Sequence, residues 1–214
     1  MMSSSYSLEK FNREAATWDE KPRRRLVAKA VAHAIIAHAK PQPTMRALEF
    51  GCGSGLVTMP IAPLVGSLVA VDTSPEMVKM VQQKAEEAAL TTLTTLVDDL
   101  FAEAEAYREP FDLIFSSMTL HHIADTATVL QRVAQLLVTG GVLALADLEL
   151  EDGFFHDDPH EEVHPGFERS ALEAALSAAG LQVRSYHIAH TIHKCNRAGV
   201  DAAYPIFLLV AEKV

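Results

Sequence analysis

The sequence predicts an α/β fold, a mostly parallel sheet packed between helices behind an N-terminal helical cap. Three observations predict it. Val- and Leu-rich runs alternate with helically periodic segments along most of the 214 residues, as in parallel strands joined by right-handed crossovers. A glycine-rich turn, Gly51-Cys52-Gly53-Ser54-Gly55, separates the first run from the helix that follows. The length suits one domain.

Residues 7–18 and 23–39 read as two helices. Leu26, Val27, Ala30, Val31, Ala34 and Ile35 recur at helical spacing, which makes one apolar stripe. Pro22 suits a helix start, and Lys40-Pro41-Gln42-Pro43 ends the second helix. Residues 1–43 are therefore expected to form the cap. Residues 44–148 are expected to form the core: strands 46–50, 67–72, 93–97, 111–116 and 142–148, with helices near 54–64, 75–89 and 124–137. Ser74-Pro75-Glu76 marks a helix start, and Gly140-Gly141 a helix end. Residues 149–167 are acidic, histidine-rich and irregular, as lids often are. Residues 168–214 then supply a helix over 170–179, a sixth strand over 181–188 and a seventh over 206–212. No helical pattern separates the last two strands, so 189–205 reads as a loop and strand seven as antiparallel.

Composition narrows function. A hydrophobic fraction of 49% supplies one buried core, and the formal net charge is -10. Nucleic acid and anionic membrane are poor partners for such a chain. The basic cluster Lys21, Arg23, Arg24 and Arg25 is too small for a nucleic-acid footprint. Two scattered cysteines make neither a disulfide framework nor a thiolate metal site. The N-terminus lacks a secretory pattern, and no run approaches the roughly 20 apolar residues of a membrane span. A reducing, cytoplasmic compartment and a monomer or homodimer are expected.

The informative segment runs from Leu48 to Gly55, LEFGCGSG. Glycine permits a tight turn and lets a ligand approach the backbone, and a helix N-terminus presents free amides. Open parallel sheets bind ligands here, beyond the carboxyl ends of the strands. No Lys-Ser/Thr follows Gly55, which excludes a phosphate-cradling P-loop. The spacing G-x-G-x-G is not that of a dinucleotide loop. Glu49, two residues before the first glycine, would repel a pyrophosphate and suit an ammonium or sulfonium group. Asp72 ends strand two, where a carboxylate can accept bonds from ribose hydroxyls. Asp98-Asp99-Leu100 follows strand three, where one carboxylate could meet an adenine amino group and Leu100 pack on the ring.

With these motifs and FDLIFSSMTLHHI after strand four, the sequence resembles class I S-adenosylmethionine-dependent methyltransferases. The likeness is strongest to the small-molecule type 11 group related to quinone-biosynthesis methyltransferases, and it covers residues 45–148 best. The resemblance implies a Rossmann-like sheet in the order 3-2-1-4-5-7-6 with strand seven antiparallel. It implies S-adenosyl-L-methionine as cofactor, S-adenosyl-L-homocysteine as product and a small-molecule acceptor. The cofactor-binding residues it implies are Glu49, Gly51, Cys52, Gly53, Asp72, Thr73, Met77, Asp98, Asp99, Leu100 and Ser116.

Methyl transfer from a sulfonium is an in-line displacement from a good leaving group, so positioning dominates. A base is needed only where the acceptor must lose a proton. His121 and His122, after strand four, are the candidates, and Asp147 is a second. Trp18 in the cap and His156, His160 and His164 in the irregular segment are candidate acceptor contacts. His160-Glu161-Glu162-Val163-His164 matches the zinc-protease pattern H-E-x-x-H. Pro159 before it and Pro165-Gly166 after it deny the helix that pattern needs, so no metal is expected. Two other functions stay open: a cofactor-binding protein that does not methylate, and a methyltransferase acting on protein. A basic surface for nucleic acid is lacking.

Overall fold

The computed structural model describes residues 5–214. Seven strands form one sheet in the order β3-β2-β1-β4-β5-β7-β6. They are β1 Arg46–Phe50, β2 Ser67–Asp72, β3 Leu93–Val97, β4 Phe111–Ser117, β5 Leu137–Leu148, β6 Leu181–Cys195 and β7 Asp201–Lys213. The first five pair in parallel. β7 runs antiparallel to both β5 and β6. The expected sheet order and the reversed last strand are both present.

Among the described residues six α-helices surround the sheet: α1 Ser5–Glu14, α2 Pro22–Ala39, α3 Thr58–Ile61, α4 Pro75–Glu87, α5 Thr126–Leu136 and α6 Arg169–Ala178. Alternation along each strand divides the core between two faces. Ala144, Ala146, Leu148, Ile206 and Leu208 pack with Val27, Val31 and Ile35 of α2 and Ile61 of α3. Leu143, Leu145, Phe207 and Leu209 pack with Leu130 and Val133 of α5 and Leu172 and Leu176 of α6. α4 is capped by Ser74, whose Oγ accepts from the Met77 amide at 3.2 Å.

Four expectations need correction. The helix near 54–64 shrinks to α3 and a 3₁₀ turn at Ala62–Leu64, since Pro60 and Pro63 break its bonding. The helix of 7–18 ends at Glu14 and continues as a 3₁₀ helix, Ala15–Glu20. Gly140-Gly141 lies inside β5, not at the end of α5, because Leu137 already pairs with Phe111. Residues 189–205 are no loop. β6 and β7 form a long hairpin with His190 opposite Ile206 and Cys195 opposite Asp201. β6 is an edge strand whose faces are mostly half-exposed, so its polar residues hid the period of two.

The segment 149–167 carries no helix or strand, only a bridge between Glu149 and Phe167. No described helix is long and apolar enough to cross a membrane.

Candidate active site

The site lies beyond the carboxyl ends of β1, β2, β4 and β5. After Phe50 the chain turns through Gly51, Gly53 and Gly55, all at positive φ. Two of these glycines serve different ends. A Cβ on Gly51 would stand 2.2 Å from the Thr119 side chain, so the β4 loop demands that glycine. A Cβ on Gly53 would meet nothing within 4 Å, so its backbone is open to a ligand.

Two carboxylates flank this loop. Glu49 is 1% exposed, and its Oε2 accepts from the Thr58 hydroxyl at 2.5 Å. Burial outweighs that bond, and the carboxyl is pushed up to about 8. Asp72 accepts from the Gly53 amide through Oδ2 and the Ser74 amide through Oδ1, each at 2.8 Å. Burial raises its carboxyl above the usual range despite those donors. Between them the buried Cys52 thiol is raised well above its ordinary value, by burial and by Asp72 and Glu49. It is therefore a small apolar wall, not a nucleophile.

These groups line a cavity of about 740 Å³ roofed by α1, the 3₁₀ helix and α2, a volume usual for small-molecule sites. Glu49, Gly51, Cys52, Gly53, Asp72, Thr73 and Met77 all border it, as do Trp18, His121, His122 and His156. One face of Trp18 is already covered: the Arg24 guanidinium lies 3.3 Å from its ring centroid.

Six expected residues lie elsewhere. Asp98 sits beside the buried Tyr107 phenol, which burial and the Asp98 carboxylate together raise. Asp99 Oδ1 accepts from the Phe101 amide at 3.2 Å. Leu100 is fully buried in the core at φ 71°, with its carbonyl accepting from Arg132 Nε. The Ser116 hydroxyl is buried and donates to the Phe50 carbonyl at 2.8 Å; Ser117, Met118 and Thr119 reach the cavity instead. His160 is exposed. His164 Nε2 meets the Ile123 carbonyl at 2.9 Å, and its ring stands against Phe167.

The far end of the cavity holds a histidine cluster. His121 Nδ1 lies 2.6 Å from Asp147 Oδ1, and its backbone amide donates to Asp147 Oδ2 at 3.2 Å. His156 Nδ1 lies 3.1 Å from Glu161 Oε2. The rings of His121 and His122 are 4.2 Å apart, and those of His121 and His156 5.1 Å. His121 Nε2, His122 Nδ1 and His156 Nε2 are buried without a hydrogen-bond partner. Each such atom costs about 1–3 kcal/mol until something pairs with it. Burial, then His121 and His156, hold His122 well below its usual range, so it is neutral at pH 7.

Sequence reading missed the pairing of Lys10 with Glu161, at 2.7 Å across 151 residues. It also missed the latch of the cap. The Ser54 hydroxyl donates to Asp19 at 2.5 Å, and Lys84 bonds both Asp19 and the Ser54 carbonyl. No local spacing announces contacts between segments this far apart.

Residues 48–145 match the family described as methyltransferase domain. The chain is 33% identical over 110 residues to a ubiquinone biosynthesis O-methyltransferase of Caulobacter sp., covering 50% of this chain and 42% of that one. It spans about half the length of the curated relatives it matches. The fold is shared with the N-methyltransferase NodS of Bradyrhizobium japonicum, solved with S-adenosyl-L-homocysteine (TM-score 0.71, 16% identity, 96% and 97% of the two chains). It is shared as well with the 4+2 cyclase SpnF (TM-score 0.67, 15% identity, 89% and 80%).

Proposed function

We propose that the protein transfers a methyl group from S-adenosyl-L-methionine to a small-molecule acceptor and releases S-adenosyl-L-homocysteine, a reading supported by the match of residues 48–145 to the methyltransferase domain family. One observation carries the reading: the carboxylates of the buried Glu49 and the half-buried Asp72 flank an open glycine loop that lines the cavity. A pyrophosphate would meet repulsion from Asp72 there, whereas a cationic ligand is attracted and favours ionisation of the Glu49 carboxyl beside it.

The cofactor, when bound, supplies an activated methyl group on a sulfonium that leaves as a neutral thioether. Asp72 would hold the ribose hydroxyls, and Glu49, ionised, the amino-acid end. Gly51, Cys52, Gly53, Thr73 and Met77 shape the remaining wall. Asp98, Asp99, Leu100 and Ser116 are left out, since none borders the cavity.

At the other end the acceptor meets the histidines. Asp147 accepts the Nδ1 proton of His121, which leaves the Nε2 lone pair free to take a proton from the reacting group. The resulting imidazolium is balanced by the adjacent carboxylate. His122 is the alternative base, and His156 and Trp18 contact the acceptor. A cytoplasmic setting suits the two free cysteines.

A second reading has an observation behind it. The same fold serves a cyclase, so cofactor binding without methylation is a real competitor. Incubation with S-adenosyl-L-methionine and pooled metabolites, read by mass spectrometry, separates the two. Methyltransfer requires S-adenosyl-L-homocysteine and a product heavier by one CH₂. A tightly held cofactor that never turns over with any pool would favour the competitor.

A further inference from the structure

Glu161 has no part in the site just proposed, yet it is a buried carboxylate in a segment without regular structure. Its side chain is 1% exposed. It accepts from Lys10 at 2.7 Å and lies 3.1 Å from His156 Nδ1. Burial alone would raise its carboxyl, but His156 and Lys10 outweigh burial and hold it below the usual range, so it is ionised. An ionised carboxylate can only accept, hence His156 Nδ1 carries the proton. The neighbouring pair repeats the geometry. Asp147 Oδ1 already accepts from the Leu148 amide at 2.7 Å, and His121 Nδ1 donates to it at 2.6 Å. In its neutral form each ring then keeps its lone pair on Nε2, and both Nε2 atoms are buried and unpartnered.

The two pairs sit side by side, with ring centroids 5.1 Å apart, on one wall of the cavity. The segment carrying Glu161 is tied to the His121 backbone, since the His164 amide donates to the His121 carbonyl at 2.8 Å. Among the described residues no group of three or more His, Cys, Asp or Glu is placed to hold a metal ion. Lone pairs without an ion need hydrogen-bond donors.

We propose that Glu161 is a positioning residue equivalent to Asp147, and that the two carboxylate–imidazole pairs present neighbouring Nε2 lone pairs to the methyl acceptor. The acceptor class is thereby a molecule with at least two N–H or O–H donors within one hydrogen-bonding span, one of them on the atom that takes the methyl group. Molecules that offer only carbonyl or carboxylate oxygens face lone pairs with lone pairs and are rejected. The nearby aromatic walls, Phe11 and Phe155, favour a flat skeleton. This inference rests on the acceptor end of the cavity as read above.

The test is ¹⁵N-histidine NMR on the full chain with and without S-adenosyl-L-homocysteine. Above the pH at which the rings lose their second proton, His121 and His156 should both keep the remaining one on Nδ1. Millimolar 2-aminophenol, a flat probe with two adjacent donors, should shift both Nε2 resonances, and its fully N,O-methylated counterpart should shift neither. Glu161→Leu, which leaves no acceptor for the Nδ1 proton, should abolish the Nδ1–H preference and the probe response of His156 while leaving His121 unchanged. In that variant the affinity for S-adenosyl-L-homocysteine should stay within about twofold of wild type. An Nε2-protonated ring at either position in the wild type would overturn the proposal. So would equal shifts from the two probes, or loss of both Nε2 signals on adding stoichiometric Zn²⁺. Failure of S-adenosyl-L-homocysteine to bind would defeat the cofactor reading alone, because ring tautomers are read in its absence too.

Discussion

Glu49 and Asp72 differ in how their carboxyls are held, and the difference is measurable. Glu49 has one hydroxyl donor against full burial. Its contribution to stability in the unliganded protein is complete below about pH 4.5 and is lost as pH rises through about 8. Glu49→Gln mimics the protonated form. Urea unfolding of variant and wild type between pH 5 and 8 should diverge in favour of the variant, by up to roughly 1.4 kcal/mol per pH unit. If the pH profiles run parallel, Glu49 is ionised throughout and its burial is misjudged. Asp72 is pinned by two amides and its loss should be felt in binding. Asp72→Ala should weaken S-adenosyl-L-methionine by about 1–3 kcal/mol, and an unchanged calorimetric affinity would remove Asp72 from the site. Both residues were legible from sequence because strand ends and the glycine turn are local signals. Asp98, Asp99 and Leu100 had the same local signature, yet the chain after β3 turns inward: Leu100 packs into the core and Asp98 faces Tyr107. Only the tertiary packing distinguishes the two cases.

At the scale of elements, the loop between β1 and α3 and the turn after β4 are fitted to each other. Thr119 donates to the Gly51 carbonyl at 3.2 Å and fills the space where a Cβ would sit. Gly51→Ala adds a clash to a left-handed φ of 66° and should cost about 2–4 kcal/mol of folding stability. Gly53→Ala meets open space and should cost about 1–2 kcal/mol, from its backbone alone, while narrowing the cavity. Equal destabilisation of the two by denaturant titration would deny Thr119 its role. The same scale shows where periodicity misleads. Four strands, β1 to β4, were placed to within one residue of their ends, because apolar or β-branched runs mark them. The β6–β7 hairpin extends well beyond its expected ends because an edge strand with solvent on both faces need not alternate. Glu161 was noticed only as part of an H-E-x-x-H match, and its pairing was missed for a related reason: its segment has no period, and its partners His156 and Lys10 are joined to it only by the fold.

For the whole molecule, the acidic chain keeps its site under a roof that is latched rather than fused. The latch joins Asp19 of the roof to Ser54 and Lys84 of the core, and the Lys10–Glu161 pair joins α1 to the segment that follows β5. Asp19→Ala should raise amide hydrogen exchange across residues 5–20 and leave the sheet protected; unchanged exchange there would mean that packing, not the latch, holds the roof. If the Glu49 and Asp72 carboxylates beside the open glycine loop select a positively charged adenosine, that preference is measurable. Calorimetric titration of the full chain with S-adenosyl-L-methionine and, separately, with NADH tests it most directly. The account predicts saturable one-to-one binding of the sulfonium nucleoside well below about 1 mM, or more than about 4 kcal/mol of binding free energy, and none of the dinucleotide. Preference for NADH, or no saturation by S-adenosyl-L-methionine at millimolar concentration, would contradict it.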